Sequence, residues 1–319
     1  MSKKTRLFFV TDIHGSDRCF RKFINASKFY KAENLILGGD ITGKIMIPIV
    51  ENSDGTWFAD YLGEERKMKK ENQVQDFEKE LGDSGIYSLR VTKKEYEELQ
   101  NSKDRVSQEF NRAMRNSIER WLSLAEERLK GENTKCYISV GNDDDPVVDN
   151  VLKSHASERI VYCEEKIVEL DSHEMISLGT SNRTPWNSPR EADEATLKEK
   201  LETMASRLSH PEKSIFSVHV PPIDSGIDQA PEVDSNFKPV LRGGHPIMIS
   251  AGSSAVREEI TKYKPLVGLH GHIHESKGVY KIGETVCINP GSEYGQGILR
   301  GALVDLEEAK LSDYLLVSG

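Results

Sequence analysis

The sequence predicts an α/β protein with mixed sheets, and three observations lead to this class. Short apolar runs at residues 7–12 and 34–40 flank a stretch with helical spacing of Phe20, Phe23 and Ile24. Each apolar run ends in polar residues, as expected where the carboxyl ends of parallel strands lead into ligand-binding loops. Two hairpin-like segments, at residues 278–291 and 302–317, add antiparallel strands near the carboxyl terminus.

Further along the chain, residues 136–143, 214–222 and 265–275 repeat the pattern of an apolar run that ends in polar residues. Between the second and third runs, from about residue 44 to 135, charged residues crowd together. Thr92 and Glu95 have the spacing of a capping box, and residues 104–129 form one long amphipathic stripe. We interpret 44–135 as a helical insertion in a single domain spanning 1–319, and we expect it to cap the carboxyl ends of the strands.

Composition narrows the classes of function. The chain of 319 residues has 43 Lys and Arg against 52 Asp and Glu, so its net charge is −9. Nonspecific binding to nucleic acid is therefore disfavoured, since it needs a basic surface. The four cysteines are widely spaced, which argues against a disulfide framework or a thiolate metal site. No segment has the apolar length of a signal peptide or a membrane span, and a cytoplasmic protein is expected.

Side chains that commonly bind metals stand at the ends of the five apolar runs. Each one alone is a weak signal, because an aspartate or histidine after a strand is often only a helix cap or a surface residue. Their accumulation in one α/β pattern is more specific. The proposed metal ligands are Asp12, His14, Asp40, Asn142, His219, His272 and His274.

The order of these residues resembles the calcineurin-like metallophosphoesterase superfamily. The sequence contains D-I-H, G-G-D, G-N-D, a lone histidine and G-H-I-H in that order between residues 12 and 274. The segment 289–292, N-P-G-S, is similar to one in the small prokaryotic phosphodiesterases of this superfamily. The resemblance implies an α/β/β/α sandwich with mixed sheets and a helical insertion.

The resemblance also implies two divalent ions that share Asp40. One ion takes Asp12, His14 and His274, and the other takes Asn142, His219 and His272. Oxygen and imidazole donors without sulfur suit manganese, iron, zinc or nickel. Two such ions clamp a phosphate ester and lower the pKa of a bound water, so that a hydroxide between the ions becomes the nucleophile.

Asp143 departs from the family pattern, which usually has histidine after the motif asparagine to assist the leaving group. A carboxylic acid beside two cations loses its proton readily and is a poorer donor. Three interpretations stay open. Asp143 positions other groups, another side chain supplies the proton, or the natural leaving group needs little help.

Two further residues are candidates for substrate binding. Arg190 lies in a polar loop, 182–191, that also contains Trp186, and arginine and tryptophan suit a phosphate and a base or sugar. The same loop is equally well explained as the entry to a helix. His245 lies in a glycine-rich segment that allows close approach to a ligand or forms a simple turn.

The remaining histidines have structural interpretations. His270 lies inside a predicted strand and is expected to be a hydrogen-bonded core residue behind the ligands. His155, His173 and His210 have polar neighbours in the sequence and are expected at the surface.

The function predicted from the sequence is a hydrolase of small phosphate esters with two metals, and a phosphodiesterase is the first choice. A phosphomonoesterase, including a protein phosphatase, is the second. A protein-binding scaffold of the same fold is the alternative from a different class, but a scaffold is free to lose metal ligands, and every position here has a competent donor. The sequence leaves the oligomeric state open.

Overall fold

The computed structural model describes residues 4–319, so the first three residues of the predicted domain lie outside the described chain. The helices are α1 (Asp17–Tyr30), α2 (Glu71–Asp83), α3 (Lys93–Gln100), α4 (Lys103–Leu129), α5 (Val147–Ser154), α6 (Glu194–Ala205) and α7 (Ser254–Tyr263). The strands are β1 (Thr5–Val10), β2 (Asn34–Gly38), β3 (Ile45–Glu51), β4 (Trp57–Tyr61), β5 (Glu64–Met68), β6 (Ile86–Thr92), β7 (Lys135–Ser139), β8 (Ile160–Tyr162), β9 (Ile167–Leu170), β10 (His173–Leu178), β11 (Ser181–Asn182), β12 (Glu191–Ala192), β13 (Ile215–Val218), β14 (Gln229–Pro231), β15 (Leu241–Arg242), β16 (His245–Pro246), β17 (Met248–Ser250), β18 (Val267–Leu269), β19 (Gly278–Ile282), β20 (Thr285–Asn289), β21 (Arg300–Glu307) and β22 (Lys310–Ser318).

Two six-stranded mixed sheets form the centre of the molecule. The first has the order β22-β21-β1-β2-β7-β8, and the second has the order β19-β20-β18-β13-β10-β9. β1, β2, β7 and β8 are parallel, as are β10, β13, β18 and β20, while β21–β22 and β19–β20 are antiparallel hairpins. The predicted alternation and both predicted hairpins are therefore present.

The side chains of β1 alternate between the two faces of the first sheet, since successive residues of a strand point to opposite sides. Leu7 and Phe9 belong to the buried cluster shared with the second sheet. Phe8 and Val10 belong to the cluster shared with α1, α4 and α5. Burying a side chain of this size contributes about 1.5–3 kcal/mol. The outer face of the second sheet is covered in the same way, because Phe216 packs with α6 and α7. The layers are thus α/β/β/α.

The segment between β2 and β7 is not wholly helical, which corrects the expectation for residues 44–135. It contains α2, α3 and α4, with Thr92 and Glu95 forming the predicted capping box, but also a four-stranded sheet in the order β5-β4-β3-β6. The strands were missed because a sheet with one solvated face needs apolar residues only at alternate positions, and β5 is almost entirely charged.

This segment contacts the main sandwich in two places. Ser16 donates a hydrogen bond to the Asp83 carbonyl, and the amide of Gly43 donates to the Tyr87 hydroxyl, so α2 and β6 lie beside the loops that follow β1 and β2. α4 instead packs against α1 on the outer side of the first sheet. A gating role for the segment stays a prediction. Within residues 4–319, no helix has the length and apolar character needed to cross a bilayer.

Candidate metal centre

The loops after β1 and β2 run side by side beyond the ends of their strands. The amide of Asp12 donates to the Gly39 carbonyl, and the amide of His14 donates to the Asp40 carbonyl, both at 3.0 Å. Asp12, His14 and Asp40 all have positive φ, as does His272 in the loop after β18. This conformation costs a residue other than glycine about 1–2 kcal/mol. Strain of this kind concentrates at sites where side-chain placement matters more than backbone stability.

Four donor side chains form one compact group. The Nε2 atoms of His14 and His274 are 3.0 Å apart, His274 Nε2 is 3.3 Å from Asp12 Oδ1, and His14 Nε2 is 3.6 Å from Asp40 Oδ2. One ligand atom from each of the four lies within 4.8 Å of all the others. These distances allow all four atoms to approach a common ion. They are the residues that the sequence predicted for the first ion.

The residues predicted for the second ion lie on the other side of Asp40. His219 Nε2 is 3.4 Å from Asp40 Oδ1, and the rings of His219 and His272 are 5.5 Å apart. His272 Nδ1 lies 2.7 Å from Asn142 Oδ1. Asp40 therefore directs Oδ2 toward the first group and Oδ1 toward the second. The structure brings all seven predicted ligands together, and their roles as ligands stay a prediction.

The ionisable side chains of this cluster shift one another's pKa values. Burial alone would raise the pKa values of Asp12 and Asp40, but the neighbouring charge of His219 lowers the pKa of both carboxyl groups below their usual range. Burial alone would lower the pKa of His219, yet Asp40 and Asp12 raise it to about 10. Burial lowers the pKa of His14 and His272 to about 4. The cluster is therefore a place where positive charge is stabilised next to neutral imidazoles.

The donor set fits divalent metals. The Nδ1 atom of His219 donates to the Gly38 carbonyl at 3.0 Å, which leaves Nε2 unprotonated in the neutral ring and pointing at the carboxylates. That buried Nε2 has no hydrogen-bond partner within the described chain. A ring nitrogen fixed in this way by a backbone carbonyl is the usual arrangement of a metal-binding histidine. Carboxylate, amide and imidazole donors suit manganese, iron, zinc or nickel.

The N-P-G-S segment holds the loop that contains His272 and His274. The side-chain amide of Asn289 donates to the carbonyl groups of Ile273 and Gly271, and its Oδ1 accepts from the Gly291 amide. Ser292 extends the connection, because its hydroxyl donates to the carbonyl of Asp12 at 2.6 Å and its amide donates to the carbonyl of His274. The segment therefore fixes both histidine positions relative to β1.

Asp143 lies at the edge of the cluster and is fully engaged by polar neighbours. Its amide donates to Asp40 Oδ1 at 3.0 Å. Its carboxylate forms an ion pair with Lys44 and accepts hydrogen bonds from Ser188 at 2.5 Å and from the Asn142 side chain at 3.1 Å. Burial would lower the pKa of Lys44, but the charge of Asp143 raises it. The position that holds histidine in the family thus contains an ion pair here.

Lys44 and Ser188 were missed by the sequence analysis, although Lys44 directly follows the G-G-D-I-T-G segment. Tyr294 was also missed, and its ring lies 4.7 Å from that of His14. The sequence gives no signal that the three belong together, because each comes from a different loop. The position of Lys44, four residues after Asp40, was the only local indication that any of the three lies near the site.

Asp144 connects two of the loops that contain proposed ligands. Its buried carboxylate accepts hydrogen bonds from the amides of Ile41, Thr42 and Gly141. Burial and the charge of Asp40 raise the pKa of Asp144 to about 6. The carboxyl group ties the loop that contains Asp40 to the loop that contains Asn142.

Arg190 and His245 were the two candidates for substrate binding. The guanidinium of Arg190 forms an ion pair with Asp149 and donates to the carbonyl groups of Asp144 and Asp145. These contacts fasten two loops together and occupy the group that was expected to meet phosphate. His245 lies exposed on the β15–β16 hairpin, without a contact to the seven ligand-type residues in the described chain. The Arg190 backbone lies beside Asn142, because its amide donates to the Asn142 carbonyl, and substrate binding by Arg190 and His245 stays a prediction.

The other histidines follow the sequence interpretation with one exception. His270 is buried, and its Nδ1 lies 2.8 Å from the Val218 carbonyl. His155 and His210 lie at least partly exposed. The surface prediction for His173 is wrong, because it begins β10, is 3% exposed, and its Nδ1 lies 2.9 Å from the Lys213 carbonyl. Polar sequence neighbours do not report which face of a strand is buried.

Comparison with known proteins gives one partial sequence relative. No protein-family model matches the chain. The uncharacterized protein MJ1162 of Methanocaldococcus jannaschii is 30% identical over 130 residues, which cover 40% of this chain and 52% of that protein. The chain thus spans about half the length of the curated relative it matches.

Solved structures match over nearly the whole chain. One crystal structure covers 99% of both chains at 15% identity with a TM-score of 0.60. TT1561 of Thermus thermophilus covers 99% of both chains at 12% identity with a TM-score of 0.53. Likeness at these identities describes the fold. These matches show that the chain shares the fold of these structures, and its two-sheet α/β/β/α sandwich is the architecture that the resemblance to the calcineurin-like superfamily implied.

Proposed function

We propose that this protein is a binuclear metal-dependent phosphodiesterase. The observation that carries the proposal is the position of Asp40, whose two carboxylate oxygens face two different groups of donors. When bound, two divalent ions would supply Lewis acidity and a water of lowered pKa. The chain supplies the first position through Asp12, His14 and His274, and the second through Asn142, His219 and His272.

The charges beside Asp143 favour a diester over a monoester. Lys44 is paired with Asp143 and Arg190 is paired with Asp149, so both basic side chains next to this edge of the site already have a carboxylate partner. A diester carries one negative charge, whereas a monoester carries up to two near neutral pH. The diester therefore needs less compensating positive charge from the protein.

The test begins with the metal content of the purified full chain. After treatment with a chelator, the protein is reloaded with manganese, zinc, iron or nickel, and bound metal is counted by elemental analysis. Hydrolysis of bis(p-nitrophenyl) phosphate and p-nitrophenyl phosphate is then compared for each metal. We expect two ions per chain and a higher kcat/KM for the diester. Asp313→Asn, which changes an exposed carboxylate on β22, is the matched control for Asp40→Asn.

Three outcomes contradict parts of the proposal. One ion per chain would overturn the binuclear centre. A higher kcat/KM for the monoester would make the protein a phosphomonoesterase. Metal binding without hydrolysis of either ester would favour a scaffold.

We further propose that the metal in the cell is manganese, iron, zinc or nickel, which the oxygen and imidazole donors suit, and that the protein acts in the cytoplasm. The four cysteines, which are free and buried, support a reducing compartment. Metal analysis of protein purified from its native source and subcellular fractionation test these two points.

A further inference from the structure

The loop between β11 and β12 is held rigidly against the edge of the candidate metal centre. Glu191 accepts hydrogen bonds from the amides of Thr184 and Ser188, at 3.0 and 2.8 Å, so it closes the loop at both ends. The Ser188 hydroxyl donates to the Asp143 carboxylate, and the Arg190 amide donates to the Asn142 carbonyl at 3.0 Å. The backbone of this loop is therefore fixed relative to Asp143.

This rigid loop holds a tryptophan in solvent. Trp186 is 61% exposed, and its ring lies 6.2 Å from that of Phe237, which is 55% exposed. The two aromatic side chains come from segments far apart in the chain, and they contact each other while most of their surface faces water. Contiguous exposed apolar surface of this kind marks a binding surface more often than isolated exposed residues do.

The backbone at Phe237 is strained. Its φ is +59°, in the left-handed region that favours glycine and asparagine. The turn is well fixed, because the Asp234 carbonyl accepts from the Phe237 amide, and the Asp234 side chain accepts from the amides of Asn236 and Lys238. A bulky ring at this position is unfavourable for the turn itself. Strain that is retained in a fixed turn points to a role for the side chain.

Trp186 is connected to the edge of the candidate metal centre through Ser188. Trp186 and Ser188 are two residues apart, so their Cα atoms are separated by at most about 7 Å. The Ser188 hydroxyl lies 2.5 Å from Asp143 Oδ1, and the Asp143 amide lies 3.0 Å from the Asp40 carboxylate. Trp186 therefore lies two residues from the side chain that contacts Asp143 at the edge of the candidate metal centre.

We propose that Trp186 and Phe237 form an aromatic platform that binds a flat ring on one ester arm of the substrate. The proposal rests on the proposed function, because the phosphoryl group must be held at the metal centre for the arm to reach the platform. Stacking suits such a ring because a preorganised aromatic surface loses little conformational entropy on binding. The platform makes substrate selection depend on the arm as well as on the phosphate.

Two phosphonates test the platform without any hydrolysis, because their carbon–phosphorus bonds are not esters. Binding of 4-phenylbutylphosphonate and n-butylphosphonate to the metal-loaded full chain is measured by isothermal titration calorimetry. The two ligands share the phosphonate and the alkyl linker and differ in the ring. We expect the phenyl ligand to bind about 5- to 150-fold more tightly, the range that corresponds to stacking one ring on an aromatic side chain.

Variants of the two aromatic residues test whether they cause the preference for the phenyl ligand. In Trp186→Ala and Phe237→Asn the preference for the phenyl ligand should fall toward one, while the affinity for n-butylphosphonate is unchanged. Asparagine is chosen because it tolerates the positive φ at residue 237. Phe29→Ala removes an aromatic side chain that is 80% exposed on α1, and this control should keep the native preference.

The outcomes separate the two proposals. Equal affinity of the native protein for both phosphonates, or an unchanged preference in both variants, overturns the platform and leaves the proposed function intact. Failure of both phosphonates to bind the metal-loaded protein overturns the platform, while the proposed function is judged separately by the hydrolysis of the two p-nitrophenyl esters. Self-association that Trp186→Ala abolishes, with the phenyl preference unchanged, assigns the aromatic pair to a protein interface and overturns the platform.

Discussion

Replacing Glu164 by glutamine should make the stability of the protein less sensitive to alkaline pH. Glu164 is buried just after β8, where one carboxylate oxygen accepts a hydrogen bond from the Gly179 amide at 2.8 Å. The other oxygen has no hydrogen-bond partner among the described residues. Burial raises the pKa of Glu164 to about 8, and the charge of the adjacent Glu165 adds to the shift.

The sign follows from proton binding. Between about pH 4.5 and pH 8 the folded protein keeps a proton on Glu164 that the unfolded chain has released. Unfolding therefore releases a proton in this window, and the stability falls as pH rises by up to about 1.4 kcal/mol per pH unit. Across the window the loss amounts to about 5 kcal/mol, of which about 3 kcal/mol falls between pH 5.5 and 8.5.

Glutamine keeps the acceptor for the Gly179 amide and cannot ionise. Its amide nitrogen would occupy the position without a partner, at a cost of about 1–3 kcal/mol that does not depend on pH. The informative quantity is thus the change with pH of the difference between Glu164→Gln and the native protein. We expect this difference to move by about 3 kcal/mol in favour of the variant from pH 5.5 to 8.5.

Equilibrium unfolding in urea, followed by circular dichroism at several pH values, measures the difference. Glu158→Gln is the matched control, because Glu158 is an exposed carboxylate in the loop before β8. Its effect should stay within about 0.5 kcal/mol at every pH. A Glu164→Gln difference that is constant within the same limit from pH 5.5 to 8.5 would refute the reasoning.

Four further predictions concern the candidate site. Asp40→Asn should reduce bound metal from about two ions to less than one per chain by elemental analysis, with unchanged circular dichroism, because the shared anionic oxygens are lost; retention of both ions would contradict this. Asp143→His should flatten the dependence of kcat/KM on leaving-group pKa, since a general acid typically contributes about 10²–10⁴-fold, and equal slopes in both proteins would place the proton donor elsewhere. Arg190→Met should lower the free energy of unfolding by about 3 kcal/mol in urea titrations, because the largely buried Asp149 carboxylate loses its ion pair and keeps only the Tyr162 hydroxyl as a partner among the described residues; an unchanged stability with a raised KM would instead indicate that Arg190 binds the substrate. Gly39→Ala places a Cβ atom 2.7 Å from His219 Nδ1 at a φ of +108°, so metal content and Tm should both fall, and normal values of both would show that the loop relaxes freely.

Much of the fold was readable from local patterns. Asp12 and Asp40 each follow a strand that is a short apolar run. The helix between these two strands has its apolar residues at helical spacing. These patterns reflect the periods of a strand and a helix, which depend only on neighbouring residues. Parallel strands end at one edge of a sheet, so polar residues at strand ends were predicted to meet. The seven ligand-type residues do lie together.

The polar partners of individual side chains were not readable in this way. Lys44 and Asp143 form an ion pair across two loops, and Arg190 forms an ion pair with Asp149. A charged side chain takes the nearest partner of opposite sign in space. That partner depends on how distant segments pack, which no local period encodes.

Tertiary contacts also decided the burial of residues whose sequence neighbours suggest exposure. His173 has polar neighbours in the sequence, yet it lies in a strand of the second sheet and is buried there. The strands within residues 45–92 were not predicted, because the charged residues on their solvated face mask the alternation of apolar residues. The sequence by itself therefore determined the short apolar strands and the helix around Asp12 and Asp40, and which ligand types stand at the strand ends. Only the tertiary structure decided which charges pair and which aromatic rings, such as Trp186 and Phe237, meet in solvent, because those contacts join segments whose separation along the chain is independent of any local pattern.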